Sequence, residues 1–257
     1  MPDDGTGAAE PGPGIGHGSG NGPGIGHAGG NGPAGGLEIA GLVVPGRGRR
    51  VILEVEALTL GAGQSLGIRG PSGAGKSTLL HAMAGLIDRA RGRVAWDGTD
   101  IMGLSPDRRG AFRARHMGLV FQDFLLFEEL SGLDNAALPA LFAPRGARAG
   151  ITARARDLLD RLGLAEPARG VDTYSGGERQ RVGVARALAN DARILLADEP
   201  TASLHRDAAD ALIDDLVRLV TEGGRTLVAV SHDPALLARM DRVITIADGR
   251  IAPGGPA

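Results

Sequence analysis

Residues 70–78 read "GPSGAGKST", and the fold turns on them. Gly70, Gly75, Lys76 and Ser77 fill the pattern G-x-x-x-x-G-K-[ST]. In such a loop consecutive backbone N–H groups cradle a β-phosphate, the lysine reaches the β and γ oxygens, and the hydroxyl is placed for Mg²⁺. Pro71, Ser72, Gly73, Ala74 and Thr78 complete the expected cradle. The lysine is the only one in the chain; the other 27 of its 28 Lys and Arg residues are arginine. A guanidinium is a wide planar fork that grips an oxyanion from outside, whereas an ammonium is compact enough to enter a tight backbone loop. The flanks agree. "SLGIR" (65–69) is a short apolar strand, and "STLLHAMAGL" (77–86) has helical spacing, so bound phosphates would sit on a helix N-terminus.

Working outward, strands and helices alternate. "LEIAGLVV" (37–44) and "VILEVEALTL" (51–60) read as strands joined by an Arg/Gly turn. "RVAWDGTDI" (93–101) and "MGLVFQ" (117–122) are strand-like, with a helix start at Ser105-Pro106 between them. Residues 131–190 are mostly helical by spacing. "RILLAD" (193–198) and "TLVAVS" (226–231) are continuous apolar runs, as expected of strands covered on both faces. Residues 206–224 form an amphipathic helix ending at glycine, and 242–252 a hairpin around Asp248-Gly249. The alternation implies an α/β fold with a mostly parallel sheet, and the helical stretch a separate subdomain at about 123–190.

Residues 1–36 differ in kind. "GPGIGHGSGN" (12–21) recurs as "GPGIGHAGGN" (22–31), with almost nothing apolar to bury, so a flexible Gly-rich tail is expected, with His17 and His27 as linker histidines. The globular part is expected over 37–252, followed by a short tail at 253–257. The chain has 257 residues, net charge −2 and no cysteine. Disulfides and Cys-ligated metals are excluded, and no nucleic acid partner is expected. No apolar run approaches the ~18 residues needed to span a bilayer. "MPDD" leads into glycines without a signal-like apolar segment, so a cytoplasmic protein is expected.

Two later motifs narrow the chemistry. Asp198 ends an apolar run and Glu199 follows it. An acid at a strand's C-terminal end can reach a Mg²⁺ site, and its neighbour can polarise an attacking water. In "YSGGERQRVGVARAL" (174–188), Ser175 and Glu178 form a capping box, while Gly176 and Gly177 leave a helix mouth of open N–H groups. That is a second phosphate site in a chain that already has a complete one, so it should serve a nucleotide held by another chain.

The order GPSGAGKST, Gln122, YSGGE, ILLADEP, His232 resembles the ATP-binding cassette (ABC) family over roughly 37–252. The resemblance implies a P-loop NTPase core with an N-terminal antiparallel β subdomain and an inserted helical subdomain. It implies two cassettes sandwiching two ATPs head to tail, with Mg²⁺ at each site. Ser175, Gly176 and Gly177 would touch the partner's γ-phosphate; Gln122 would sense Mg²⁺ and water; Ser77 and Asp198 would hold the metal; and His232 would orient Glu199. The aromatic on which the family stacks adenine is missing before Trp96. Val43, Val44, Arg47, Arg49 or Arg50 are the substitutes, and weak base discrimination is expected. His205 stands where the family places aspartate in the loop that crosses the dimer interface. It is expected to weaken or pH-tune coupling, with Asp207 partly compensating.

"FQDFLLFEELSGLDNAALPALF" (121–142) is similar to the lipoprotein-release and macrolide-export ATPases. It implies an ATPase subunit for a separate transmembrane permease, peripheral on the cytoplasmic face of the inner membrane, with Phe124, Leu125, Leu126 and Phe127 supplying part of the docking surface. The short C-terminus disfavours importers that carry a regulatory domain. The alternative is a soluble ABC ATPase in iron–sulfur cluster assembly or another cytosolic role. A small-molecule kinase would leave YSGGE unexplained.

Overall fold

The computed structural model describes residues 36–253 except Arg49. The Gly-rich repeat, with His17 and His27, and residues 254–257 lie outside the described residues.

The strands are β1 (Leu37–Pro45), β2 (Val51–Leu60), β3 (Ser65–Arg69), β4 (Arg91–Trp96), β5 (Thr99–Asp100), β6 (Met117–Val120), β7 (Ile194–Asp198), β8 (Thr226–Val230), β9 (Arg242–Ala247) and β10 (Arg250–Ile251). They form one ten-stranded sheet in the order β5-β4-β1-β2-β10-β9-β3-β8-β7-β6. From β9 to β6 every pair is parallel. From β5 to β2 every pair is antiparallel. A parallel core and an antiparallel N-terminal wing therefore share one surface. The wing follows from β1 and β2, which alternate buried and exposed residues as a sheet with one wet face does. β7 is apolar and buried through Ala197, and β8 is buried throughout.

The helices are α1 (Lys76–Met83), α2 (Pro106–His116), α3 (Gly132–Ala136), α4 (Pro139–Phe142), α5 (Arg145–Arg161), α6 (Gly176–Leu188), α7 (Arg206–Glu222) and α8 (Pro234–Leu237). One apolar cluster joins α1 to the wing, with Trp96 fully buried and its Nε1–H donated to the Met83 carbonyl at 2.9 Å. A second joins α3, α5 and α6 to α7 and to β7, through Leu159, Val182, Leu188 and Leu216. The expected helical stretch is interrupted. Residues 162–175 are irregular apart from a 3₁₀ turn at Val171–Thr173. Gly163 in a left-handed conformation ends α5, Pro167 falls within the segment, and Ser175 opens α6.

Candidate functional site

The parallel strands deliver the candidate residues to one edge. β3 runs into the loop 70–75, β8 into Ser231-His232, β7 into Asp198-Glu199 and β6 toward Gln122. Because β8 lies between β3 and β7, pairing Ile68 and Asp198 to Val230, the loop, the histidine and the acids end level with one another. Ligands of open α/β sheets bind at this carboxyl edge.

The loop's shape depends on its glycines. Gly70 has φ 149°, and a Cβ there would lie 2.0 Å from the Ile246 carbonyl oxygen. Gly75, in the left-handed region, caps α1 and leaves its first N–H groups free of any side-chain cap. The buried Lys76 side chain donates from Nζ to the Gly70 and Pro71 carbonyls at 2.9 and 3.0 Å. Ser77 Oγ donates to Asp198 Oδ1 at 3.2 Å, so two of the three residues expected at the metal, Gln122 being the third, are already together. Among the described residues no group of three or more His, Cys, Asp and Glu side chains converges as a metal cage. Hard oxygens from a hydroxyl and one carboxylate suit Mg²⁺, which takes few protein ligands and fills its octahedron with phosphate and water.

Glu199 adopts left-handed backbone at φ 47°, uncommon for a residue with a side chain. Its N–H still donates to the Val230 carbonyl at 2.9 Å, which turns the side chain off the sheet edge toward β8. There Glu199 Oε2 accepts the His232 backbone N–H at 3.2 Å, and Oε1 lies 3.3 Å from His232 Nε2. Gln122, Glu199 and His232 line one cavity of about 490 Å³, with Thr201, Ala202, Arg206, Asp233 and Pro234. Sequence reasoning missed Arg206 and Asp233. Burial works to raise the Asp233 carboxyl, but hydrogen bonds from Arg206 and from the Ala235 N–H outweigh it and hold the group below its ordinary value. The only sequence signal was Asp233-Pro234 as a helix start and the Arg206/Asp210 spacing of one turn.

A second cavity, of about 350 Å³, borders the loop itself. It is lined by Arg50, Val51 and Ile52, by Pro71–Ala74 and by Ala247–Gly249. Val44, a sequence candidate for the base platform, is 3% exposed and packs in the wing's core, because alternation along β1 turns it inward. Val51 and Ile52, which sequence reasoning passed over, are exposed beside the loop. Arg49 lies outside the described residues.

Ser175, Gly176 and Gly177 line neither cavity, and among the described residues no hydrogen bond joins them to the loop. The capping box is present: Ser175 N–H and Oγ donate to Glu178 Oε2 at 2.8 and 2.9 Å, and Ser175 Oγ accepts the Glu178 N–H at 3.3 Å. The Ser175 N–H hydrogen bond is the main cause that holds the Glu178 carboxyl below its ordinary value, against burial and with help from Arg169 at 2.6 Å. The start of α6 packs beside the His205 loop, with Ser203 and Leu204 3.8 Å from where a Gly176 Cβ would be.

After Gln122 the chain makes two consecutive left-handed residues, Phe124 and Leu125. Arg186 of α6 donates to both of their carbonyls. Asn135, fully buried, accepts the Phe127 N–H at 2.8 Å and donates to the Phe127 carbonyl at 2.9 Å. Of the four apolar residues expected at a docking surface, Leu125 and Phe127 point outward at 57% and 55% exposure, whereas Leu126 packs against the core and Phe124 is partly buried. Phe142, at 86%, adds to the exposed apolar surface.

The profile of the ABC transporter family matches residues 53–202. The chain belongs to the ABC transporter family. This cassette is an ABC ATPase, similar to several named relatives. It is 45% identical over 216 residues to the lipoprotein-releasing system ATP-binding protein LolD of Maricaulis maris, covering 82% of the cassette's chain and 92% of that protein. It is 43% identical over 206 residues to the macrolide export ATP-binding/permease protein MacB 1/2 of Paracoccus denitrificans, covering 79% of its own chain but 30% of that longer protein. Among solved structures, an ATP-binding cassette captured as a dimer in a post-hydrolysis state with ADP and Pi superimposes with a TM-score of 0.74. That cassette is 32% identical, and the match covers 84% of this chain and 96% of the other. Among the described residues no helix is long and apolar enough to cross a membrane.

Proposed function

We propose that this cassette hydrolyses ATP as one half of a head-to-tail pair and drives a separate transmembrane partner in lipoprotein release or efflux. The observation that carries the reading is the meeting of loop, acids and histidine on one sheet edge while YSGGE, complete, stands apart from them. A complete phosphate cradle and a bare helix mouth that do not meet within one chain are accounted for by a second copy. The dimeric post-hydrolysis cassette is a precedent for such a pair.

The residues take the following roles. The loop N–H groups of Gly70 and of Ser72 to Gly75, with those of Lys76, Ser77 and Thr78, hold the phosphates, Pro71 lending the cradle shape but no N–H, and the Lys76 ammonium exchanges two carbonyls for β and γ oxygens. Ser77, Asp198 and Gln122 would hold Mg²⁺, which would supply positive charge beside the leaving phosphates. Glu199 orients and polarises the attacking water, and His232 fixes the Glu199 carboxylate and meets the γ-phosphate. Phosphoryl transfer asks mainly for such positioning and charge stabilisation. Ser175, Gly176 and Gly177 close on the γ-phosphate of the partner's ATP, so binding shuts the pair and hydrolysis opens it. In this reading Leu125, Phe127 and Phe142 face a cytoplasmic segment of the permease, and the cassette works from the cytoplasmic face of the inner membrane. The relatedness to LolD and MacB supports this role over the soluble cluster-assembly alternative.

The test is the Glu199→Gln variant of the full chain. It is expected to lose turnover, to dimerise with MgATP in light scattering, and to copurify a polytopic membrane protein from solubilised membranes of its own organism. A variant that still turns over ATP, or a trapped dimer with soluble partners alone, refutes the proposal.

A further inference from the structure

We propose that Arg206 is a positioning residue for hydrolysis, holding the His232 turn against Glu199 through the Asp233 carboxylate. The inference rests on the roles given above to Glu199 and His232.

Arg206 is the first residue of α7 and ends the loop that begins at Glu199. Its side chain reaches 27 residues along the sequence, donating from Nη1 to both Asp233 oxygens at 3.2 Å. The rest of the guanidinium is occupied by Asp210, one turn on, with Nε donating to Oδ2 at 2.9 Å and Nη2 bonded to Oδ1. Asp210 thus fixes the direction of the fork, and the fork fixes Asp233. Asp233 is the residue after His232. Its carboxylate caps α8 through the Ala235 N–H at 2.9 Å, and its N–H donates to Ser231 Oγ at 2.9 Å. The His232 ring itself is 57% exposed, and the contacts that steer it are those to Glu199. A turn that shifts at Asp233 moves the His232 N–H away from Glu199 Oε2.

Stability is a poor reason for this arrangement. Asp233 is 11% exposed, but Arg206 is half exposed, and solvent on the guanidinium side weakens what the pair contributes to stability. Geometry is a better one. Arg206, Asp233, His232 and Glu199 line the same cavity, and the pair ties the loop after β7 to the turn after β8, the two segments that carry the acid and the histidine. A planar fork can serve two carboxylates at once; an ammonium cannot hold both in fixed directions. Arg206 also follows His205 directly, so a displacement of the loop at the proposed dimer interface reaches His232 through one side chain.

The experiment compares full-length Arg206→Ala, Arg206→Lys, Asp233→Asn and the Arg206→Ala/Asp233→Asn double variant by steady-state ATP titration and thermal melting. Asparagine keeps the α8 cap while removing the charge. Arg206→Ala and Asp233→Asn are each expected to lower kcat about tenfold with KM within twofold of the wild type. The double variant is expected to be no worse than either single one, because both break the same link. Lysine is expected to restore only part of the rate. Turnover within twofold of the wild type in Arg206→Ala, a double variant that loses the product of the single effects, or a kcat that merely tracks lost melting temperature would each overturn the inference. Glu199→Gln run alongside separates the two readings. If it is inactive while Arg206→Ala is normal, only this inference fails; if it is active, both fail.

Discussion

α7 is 17 residues long and has no side-chain cap, and replacing His205 with aspartate should give it one. His205 occupies the N-cap with φ −64° and ψ 156°, the extended geometry a capping residue needs, yet its imidazole makes no cap hydrogen bond. α1, α4 and α5 also lack a side-chain cap, but four helices have one: Ser105, Ser131, Ser175 and Asp233 accept the N–H groups of Arg108, Asp134, Glu178 and Ala235. An aspartate at 205 needs no backbone change to do the same. One cap bond is worth about 1 kcal/mol. A carboxylate at the positive end of the helix dipole adds about 0.3–1 kcal/mol. Asp207 in the first turn takes back a few tenths, roughly the size of a like-charge helix pair. The net gain is about 1–1.5 kcal/mol, or about 2–5 °C in Tm for a domain of this size. Calorimetry without nucleotide, at low and high salt, measures it. His205→Ala is expected to be near neutral, because no cap bond exists to lose, and His205→Asn is expected to keep its gain in 1 M NaCl. If His205→Asp melts no higher than His205→Ala, the description of this helix end is wrong. The same variant tests the role assigned to His205 at the dimer interface: turnover or its pH profile is expected to change, and identical profiles refute that role.

Gly70→Ala is expected to abolish ATP binding and to cost at least about 2 kcal/mol, since its Cβ would press on the Ile246 carbonyl at a left-handed φ; nucleotide titration and melting check both. His116→Gln is expected to flatten the fall in stability below neutral pH. Burial first, then Arg115, lowers the His116 pKa from its ordinary 6.5. The unfolded chain therefore takes up the proton first, and stability is lost as pH falls below about 6.5; urea titrations at pH 7.5 and 5.5 show whether glutamine removes that slope. Asn135→Leu is expected to cost about 3 kcal/mol, because it strands the Phe127 N–H and carbonyl together, and to raise hydrogen exchange across 124–131. With Arg50, Val51 and Ile52 rather than an aromatic ring beside the phosphate loop, GTP is expected to displace ATP at within about fivefold of its own competition; a strong ATP preference counts against that base platform.

The parallel core was legible because its strands are apolar runs bounded by punctuation. Asp198 and the glycines of the loop mark where "ILLAD" and "SLGIR" stop, and each stop is a site residue. The irregular segment at 162–175 was not legible, since its leucines continue the helical spacing of α5 and only Gly163 and Pro167 speak against it. The loop, Asp198, Glu199 and His232 could be placed on one edge from sequence because each follows a buried strand. Arg206 and Asp233 could not. Their pairing joins two segments 27 residues apart, and a surface arginine beside an aspartate looks like any solvated pair until the turn after β8 brings them together. The inward turn of Val44 was missed for a related reason: β1 is bent by a left-handed Gly41, which shifts the alternation by one residue.

The lysine that opened the sequence bears on timing. The Lys76 ammonium bridges the carbonyls of Gly70 and Pro71, the first two residues of the loop that it closes. The loop is thus wound around its own cation. Phosphate arrival exchanges acceptors on a shape already made, so little ordering entropy has to be supplied at that moment. The cost of shaping the cradle is then met in folding and not in binding.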